Sequence, residues 1–299
     1  MAELNDLLSH AALQSYPASC LYVVATPIGN VADITYRAHF VLSKVDSIAC
    51  EDTRNTAHLL QQLGLFKPLI AAHQHNENEV AQKIIQRLTQ GESIALVSDA
   101  GTPAISDPGA RIVDAVRNAG FAVVPVPGAS AVVTALSASG LLNDQFYFVG
   151  FLPAKAGQRD AILKTLITLS ATLVFYEAPH RITETAAALN TLFPSSRKIV
   201  FARELTKLFE EVHRCDLSSA TAWLEQNAHR QKGEYVILLE GATTDREAEL
   251  REAKRVLAIL LESCSVKQAA NLASQLTGQK KNALYHLALE LHNPNGVDD

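Results

Sequence analysis

An α/β chain in two lobes with a small helical region at its C-terminal end is the fold the sequence predicts, and three observations predict it. Short apolar segments alternate with amphipathic stretches from Leu21 onward, two of those segments run into loops dense in glycine, proline and acid, and beyond Gly241 the pattern turns wholly helical. Alternation of that kind implies βαβ units around a mainly parallel sheet.

Residues 1–20 form an N-terminal extension: Leu4, Leu7, Leu8, Ala11 and Ala12 have helical spacing that stops at Tyr16-Pro17, so a short docked helix or a loose arm is expected. The first lobe, 21–143, opens with a strand over 21–26, a helix over 35–44, a strand over 47–50 and a helix over 53–63 closed by Gly64. A helix over 77–89 follows, with Val80, Ala81, Ile84, Ile85 and Leu88 on one face and Gly91 just past its end. A strand over 93–97, an apolar strand ending at Val126 and a helix over 131–139 complete the lobe.

After Gly140-Leu141-Leu142-Asn143-Asp144 a second lobe, 144–241, carries strands over 146–149, 172–176, 198–202, 208–213 and 234–240. Helices over 159–169, 181–192 and 218–227 intervene, so this is again sheet plus helices, partly antiparallel. The C-terminal region, 242–299, starts at a polar break, Gly241 to Asp245, that offers an N-cap. Within it a helix from Ser265, a Thr277-Gly278 turn and a second helix from Gln279 have helix-turn-helix shape. Between Ser263 and Pro294, Lys267, Lys280 and Lys281 face only Glu290, and Lys280 and Lys281 fall at the start of the second helix, where such folds meet phosphate. A helical hairpin used for packing or dimerisation is the competing reading of this tail.

Composition narrows the classes. With 48% hydrophobic and 19% charged residues in 299, the chain is ordinary globular material, and it lacks a run of about 18 apolar residues for a membrane span. Met1-Ala2-Glu3-Leu4-Asn5-Asp6 is acidic where a secretory signal is basic, so a cytoplasmic protein is expected. Cys20, Cys50, Cys215 and Cys264 form no CxxC pair, which argues for reduced filler over zinc or redox chemistry. A net charge of −5 confines polynucleotide contact to local basic surface.

The two strand-end loops carry the chemistry. Ser98-Asp99-Ala100-Gly101-Thr102-Pro103-Ala104-Ile105-Ser106-Asp107-Pro108-Gly109 leaves one strand, and Pro127-Gly128-Ala129-Ser130 leaves the next, so one crevice serves both. Thr26-Pro27-Ile28-Gly29-Asn30, after the first strand, is neither GxGxxG nor a Walker A loop. Proline at Pro27, Pro103 and Pro108 removes amides that a phosphate would need, which points to a neutral adenosine-like body. Gly101 and Gly128 let the backbone close on such a body, and Asp99 can accept from a ribose hydroxyl or an ammonium. His73 and His75 lack a third ligand at metal spacing, so no metal is expected.

Six motifs in order extend the reading. Ala25-Thr26-Pro27-Ile28-Gly29-Asn30, Cys50-Glu51-Asp52-Thr53-Arg54, the run from Ser98 to Gly109, Val126-Pro127-Gly128-Ala129-Ser130, Phe175-Tyr176-Glu177-Ala178-Pro179-His180-Arg181 and Ala202-Arg203-Glu204-Leu205-Thr206-Lys207 resemble the small-subunit ribosomal RNA methyltransferase I family of the tetrapyrrole (corrin/porphyrin) methylase superfamily. The resemblance runs from about Leu21 to Leu291. It implies a cleft between two lobes that holds S-adenosyl-L-methionine, a homodimer, and methyl transfer to the ribose 2′-oxygen of a cytidine in 16S rRNA of the small ribosomal subunit.

Carried over by position, the resemblance lines the cofactor cleft with Pro27, Asp99, Gly101, Thr102, Pro103, Gly128, Ala129, Ser130, Tyr176 and Ala202. Glu177, His180 and Glu51 are the candidates for the proton acceptor, with Asp52 and Glu204 also at motif loops; the competing reading pairs Glu177 or Glu204 with a nearby arginine. Arg54, Lys155, Arg181, Lys280 and Lys281 are the candidate RNA contacts, joined by Arg159, with a helix-start ion pair as the alternative for Arg54. Two other functions stay open at this point: a tetrapyrrole or other small-molecule methyltransferase of the same fold, and a nucleic-acid-binding regulator that only senses the cofactor.

Overall fold

Strands made of short aliphatic runs, buried on both faces, demand helices on both sides, and the first half of the chain supplies them. The computed structural model describes residues 9–242 and 246–292. In it β1 (Leu21–Val24), β2 (Ser47–Cys50), β3 (Leu69–Ala71), β4 (Ile94–Val97) and β5 (Val123–Val126) form a parallel sheet in the order β3-β2-β4-β1-β5. Between them run α1 (Tyr36–Lys44), α2 (Thr53–Gln62), α3 (Glu77–Thr89) and α4 (Ala110–Asn118). Alternation along β4 divides the core: Ile94 and Leu96 cluster with Leu21, Ile84, Leu88 and Ile112, while Ala95 and Val97 cluster with Tyr22, Val41, Leu42 and Ile48.

The strand order creates one special place. From β1 the chain crosses β4 to reach β2, and from β4 it crosses β1 to reach β5, so these neighbours send their connections in opposite directions. A crevice opens outside the carboxyl ends of such a pair, and open α/β sheets take ligands there.

α5 (Ala131–Ser139) leads into the second sheet, built from β6 (Phe146–Phe151), β7 (Thr172–Glu177), β8 (Lys198–Arg203), β9 (Glu211–Asp216) and β10 (Tyr235–Leu239) in the order β6-β7-β10-β8-β9. β6 and β7 are parallel; the other three pairings are antiparallel. α6 (Ala156–Leu166), α7 (Ile182–Leu192) and α8 (Ala220–Glu225) accompany it. One face of this sheet buries Leu173, Phe175, Ile199, Phe201 and Ile237 against Leu163, Ile182, Leu189 and Leu224. The other face packs Val174, Val200, Val236 and Leu238 against Ile28, Val132 and Ala135, which joins the two sheets in one compact unit.

Two elements depart from the sequence expectation. The strand expected over 208–213 lies three residues later, because after β8 the chain turns through left-handed Glu204 and Thr206, and Glu210 accepts a hydrogen bond from the Thr206 amide (2.5 Å). Leu208 and Phe209 are therefore exposed despite their apolar character. The short β3 carried no periodic signal, being three residues pinned by pairing to β2. At the other end, Ala11 is buried and accepts a 2.8 Å hydrogen bond from Tyr16 Oη, and the Tyr16 ring lies 4.9 Å from that of Phe40 on α1. Leu4, Leu7 and Leu8 lie outside the described residues.

A second compact unit begins at Ala242. Its described helices are α9 (Arg246–Leu261), α10 (Val266–Thr277) and α11 (Lys281–His292), closed on Ala253, Leu257, Ala269, Ala270, Ala273, Leu284 and Ala288. Ser265 and Gln268 form a capping box at the start of α10, and left-handed Gly278 (φ 71°) ends it. Lys280 and Lys281 are exposed at the start of α11. The proposed cap at 243–245 lies outside the described residues. No described helix is long and apolar enough to cross a membrane.

Candidate active site

Three loops converge at the switch point between β1 and β4. Thr26, just past β1, and Gly101, in the loop after β4, exchange backbone hydrogen bonds of 2.9 and 3.0 Å, and Thr26 Oγ1 donates to Ser98 O at 3.1 Å. Gly101 is left-handed (φ 80°), a conformation that costs an L side chain about 1–2 kcal/mol. Thr102 Oγ1 donates to Ala129 O at 3.2 Å, and a Cβ on Gly128 would meet Ala25 Cβ at 2.9 Å, so the loop after β5 closes on the other two.

Strand register in the second sheet supplies the opposite wall. Phe151, Tyr176, Val236 and Ala202 are successive partners across β6, β7, β10 and β8. All four line a cavity of about 430 Å³ together with Ile28, Gly101, Asp107, Ala131, Glu177 and Lys207, among others. That size and its mostly apolar wall suit a drug-sized ligand.

The charged groups at the cavity are few and fixed. Lys207 Nζ lies 3.0 Å from Glu204 Oε1 and 2.8 Å from Glu234 Oε2. Burial alone would depress its ammonium, but the bonds and charges of those two carboxylates hold it above its ordinary value. Gly29 makes room for this side chain, since a Cβ there would come within 2.5 Å of Lys207 Cγ. Burial pushes the Asp107 carboxyl up, a hydrogen bond from Ser98 opposes this and the charge of Asp99 adds to it. Glu51 is likewise raised by burial and then by Asp107, Asp99 and Asp52, with His73 opposing. The Tyr176 phenol is raised by burial and by Asp107.

Among the residues expected from sequence, Gly101, Tyr176, Glu177 and Ala202 line the cavity, while Pro27, Thr102, Pro103, Gly128, Ala129 and Ser130 lie in the adjoining loops and are not among its lining residues. Several of the expected residues have protein partners of their own. Asp99 turns to the start of α2, where its carboxylate accepts from the Asp52 amide (3.1 Å) and Asn55 Nδ2 (2.7 Å). Glu177 has no exposed side-chain surface: its oxygens take hydrogen bonds from the Ala178 amide (2.9 Å) and Thr185 Oγ1 (2.6 Å), and Arg181 Nε is 3.3 Å away. Arg181 also donates to Leu152 O at 2.6 Å and Pro153 O at 3.2 Å, which ties its guanidinium to the loop after β6. Arg54 forms the helix-start pair with Asp52 at 2.6 Å, and Arg159 is buried against Glu184 and Asp160. Lys155 is exposed at the start of α6; Glu51 is half-buried beside Asp107, and His180 is exposed next to the lining residue Pro179. Sequence reasoning missed Asp107, Lys207, Val236, Phe151 and Ile28 as wall residues. Only the pairing register, which no periodicity encodes, brings the aromatic and aliphatic ones together.

Comparison with known proteins agrees with this architecture. The Tetrapyrrole (Corrin/Porphyrin) Methylases family matches residues 20–221, and the RsmI C-terminal HTH domain matches residues 247–292. A protein of Escherichia coli O157:H7 named ribosomal RNA small subunit methyltransferase I is 48% identical over 271 residues, covering 90% of this chain and 94% of its own length. One of the same name from Pseudomonas aeruginosa is 47% identical over 275 residues, covering 91% and 98%. Among solved structures, the methyltransferase CobJ superposes with a TM-score of 0.56 at 19% identity, over 75% of this chain and 94% of that one. Uroporphyrin-III C-methyl transferase from Thermus thermophilus, complexed with S-adenyl homocysteine, gives 0.52 at 17% identity, over 73% and 96%.

Proposed function

The chain belongs to the tetrapyrrole (corrin/porphyrin) methylase family, alongside proteins named ribosomal RNA small subunit methyltransferase I, and from that premise we propose that it transfers a methyl group from S-adenosyl-L-methionine to the ribose 2′-oxygen of a cytidine in 16S rRNA. The observation that carries the reading is the cavity at the β1–β4 switch point, closed by the Tyr176–Val236–Ala202 row of the second sheet. Its residues fit the cofactor. Ile28, Ala131, Ala202 and Val236 give an apolar bed for an adenine, and left-handed Gly101 brings bare backbone to the wall.

When bound, the cofactor supplies an activated methyl that departs from a neutral thioether. The protein's work is then mainly positioning, and a well-aligned approach of the ribose hydroxyl contributes about 7–11 kcal/mol. The Thr26–Gly101 bridge and the Thr102–Ala129 bond hold the wall still for that purpose. Lys207, clamped by Glu204 and Glu234, is the cation at the cavity that can meet the RNA backbone, and Lys155, Lys280 and Lys281 are proposed as further backbone contacts. A cytoplasmic homodimer acting on small-subunit RNA completes the proposal.

The test is mass spectrometry of 16S rRNA from small subunits that lack the mark, incubated with this protein and methyl-labelled cofactor. Label on one cytidine ribose is expected. No incorporation into RNA, with methylation of a tetrapyrrole instead, overturns the assignment.

A further inference from the structure

Three carboxylates line the cavity, and two of them are spent. Glu177 is fully buried under Thr185, the Ala178 amide and Arg181, and Glu234 reaches Lys207 from a mostly exposed position. Asp107 is different. Its only side-chain hydrogen-bonding neighbour among the causes that set its charge is Ser98, and it is only partly exposed.

Its loop is anchored on both sides. Ala104 and Ser106 are left-handed (φ 67° and 65°), two non-glycine residues in a costly conformation within three positions. On the far side of Asp107 the Gly109 amide donates to the buried Glu77 carboxylate at 2.6 Å, and on the near side Gly101 is fastened to Thr26. Ser106 Oγ lies where a Cβ on Gly150 would meet it at 3.2 Å, so the loop abuts β6 of the second sheet. Strain of this kind persists only where surrounding structure enforces it, and here it aims one carboxylate at the cavity.

We infer that Asp107 is the catalytic base, accepting the proton of the substrate hydroxyl as the methyl group is transferred; this rests on the reading in the preceding subsection. The hydroxyl O–H bond breaks with its proton passing to the Asp107 carboxylate and its electron pair staying on oxygen. That oxygen forms the new O–C bond while the C–S bond breaks, its pair returning to sulfur, and the proton then leaves Asp107 for water. Charge changes favour the step. Asp99 lies in the same loop, Glu51 and Asp52 approach from the start of α2, His73 lies beside Glu51, Tyr176 faces Asp107 from β7, and Lys207 and Glu234 stand at the same cavity. Protonation of Asp107 relieves the crowding with Asp99 and Glu51, and a carboxylate raised toward neutrality is the stronger base.

Asp107→Asn in the full chain tests this, read by calorimetric binding of S-adenosylhomocysteine and S-adenosylmethionine and by single-turnover transfer to small subunits across pH. Both ligands are expected to bind within about threefold of wild type, while transfer falls by about 10²–10⁴-fold and loses the acid limb of its pH profile. Asp107→Glu, which keeps the charge, is expected to recover part of the rate with that limb restored. Wild-type rate and limb in Asp107→Asn overturn the inference alone. A selective loss of S-adenosylmethionine over S-adenosylhomocysteine affinity also overturns it, since Asp107 then recognises the sulfonium charge. A wild-type protein that binds cofactor but labels no RNA overturns the preceding reading and this one together.

Discussion

Thr26 and Gly101 hold each other by two backbone hydrogen bonds, 2.9 and 3.0 Å, across the gap between the loops that follow β1 and β4. Neither residue belongs to a regular strand, yet one antiparallel bridge ties the loop after β1 to Gly101, which lines the cavity. Gly101 makes this bridge from a left-handed backbone (φ 80°), a conformation glycine adopts without steric cost.

Gly101→Val is accordingly expected to lose cofactor affinity and some stability together. Left-handed backbone costs a side chain about 1–2 kcal/mol, more when it is β-branched. Its Cβ would stand 3.5 Å from Ile28 Cγ2, so packing tolerates the atom and the backbone does not. Calorimetry with S-adenosylhomocysteine and thermal unfolding check this; unaltered affinity would remove Gly101 from the binding wall.

Glu177 is expected to act on stability and not on proton transfer. Removing one partner of a buried pair costs about 3–5 kcal/mol, and Glu177→Ala leaves Arg181 and Thr185 facing the gap. With about 2–4 °C of melting temperature per kcal/mol for a unit of this size, a drop near 10 °C is expected. Glu177→Gln, which can keep the Thr185 contact, should unfold at an intermediate temperature and retain the wild-type shape of the rate–pH curve. A lost limb in that curve would return Glu177 to the chemistry.

Why Glu177 and not Asp107 stood out in the sequence has a physical answer. The Glu177-Ala178-Pro179-His180-Arg181 run ends a strand with polar groups, which is where catalytic residues sit, but side-chain direction depends on what lies beneath: here Thr185, one turn into α7, draws the carboxylate inward. Asp107 sits in a loop whose course is set by left-handed Ala104 and Ser106, and no propensity predicts those. By contrast α3 was legible to the residue, since its apolar spacing, acidic first turn and Gly91 stop all agree. β9 was misplaced because Leu208 and Phe209 read as core letters while the turn at Glu204 and Thr206 holds them outside the ladder.

Glu51→Gln is expected to stabilise the protein with a defined pH dependence. Burial and then the charges of Asp107, Asp99 and Asp52 raise the Glu51 carboxyl above its ordinary 4.5, so the folded state prefers it protonated. The stability this provides is complete below 4.5 and is lost as pH rises through the folded value. The neutral variant escapes that loss, so its melting temperature relative to wild type should climb with pH above 4.5 and level off once Glu51 is ionised in both states. A difference that shrinks as pH rises would refute the sign.

Lys280 and Lys281 stand exposed at the first turn of α11, in a unit whose core is a packed set of alanines and leucines. Neither side chain contributes to that core, so Lys280→Ala combined with Lys281→Ala should leave the melting curve and cofactor affinity unchanged. Each phosphate contact releases counterions, and losing two is expected to lower the slope of log K against log salt by about 1.5 for RNA. Affinity at low salt should therefore fall more than affinity at high salt. Lys267 and Lys281 line the same open groove with Asn271 and Gln268, so Lys267 is expected to keep part of the binding in the double variant. An identical salt series for wild type and variant would reduce these lysines to solvated surface and leave the helix-turn-helix shape of the tail as packing alone.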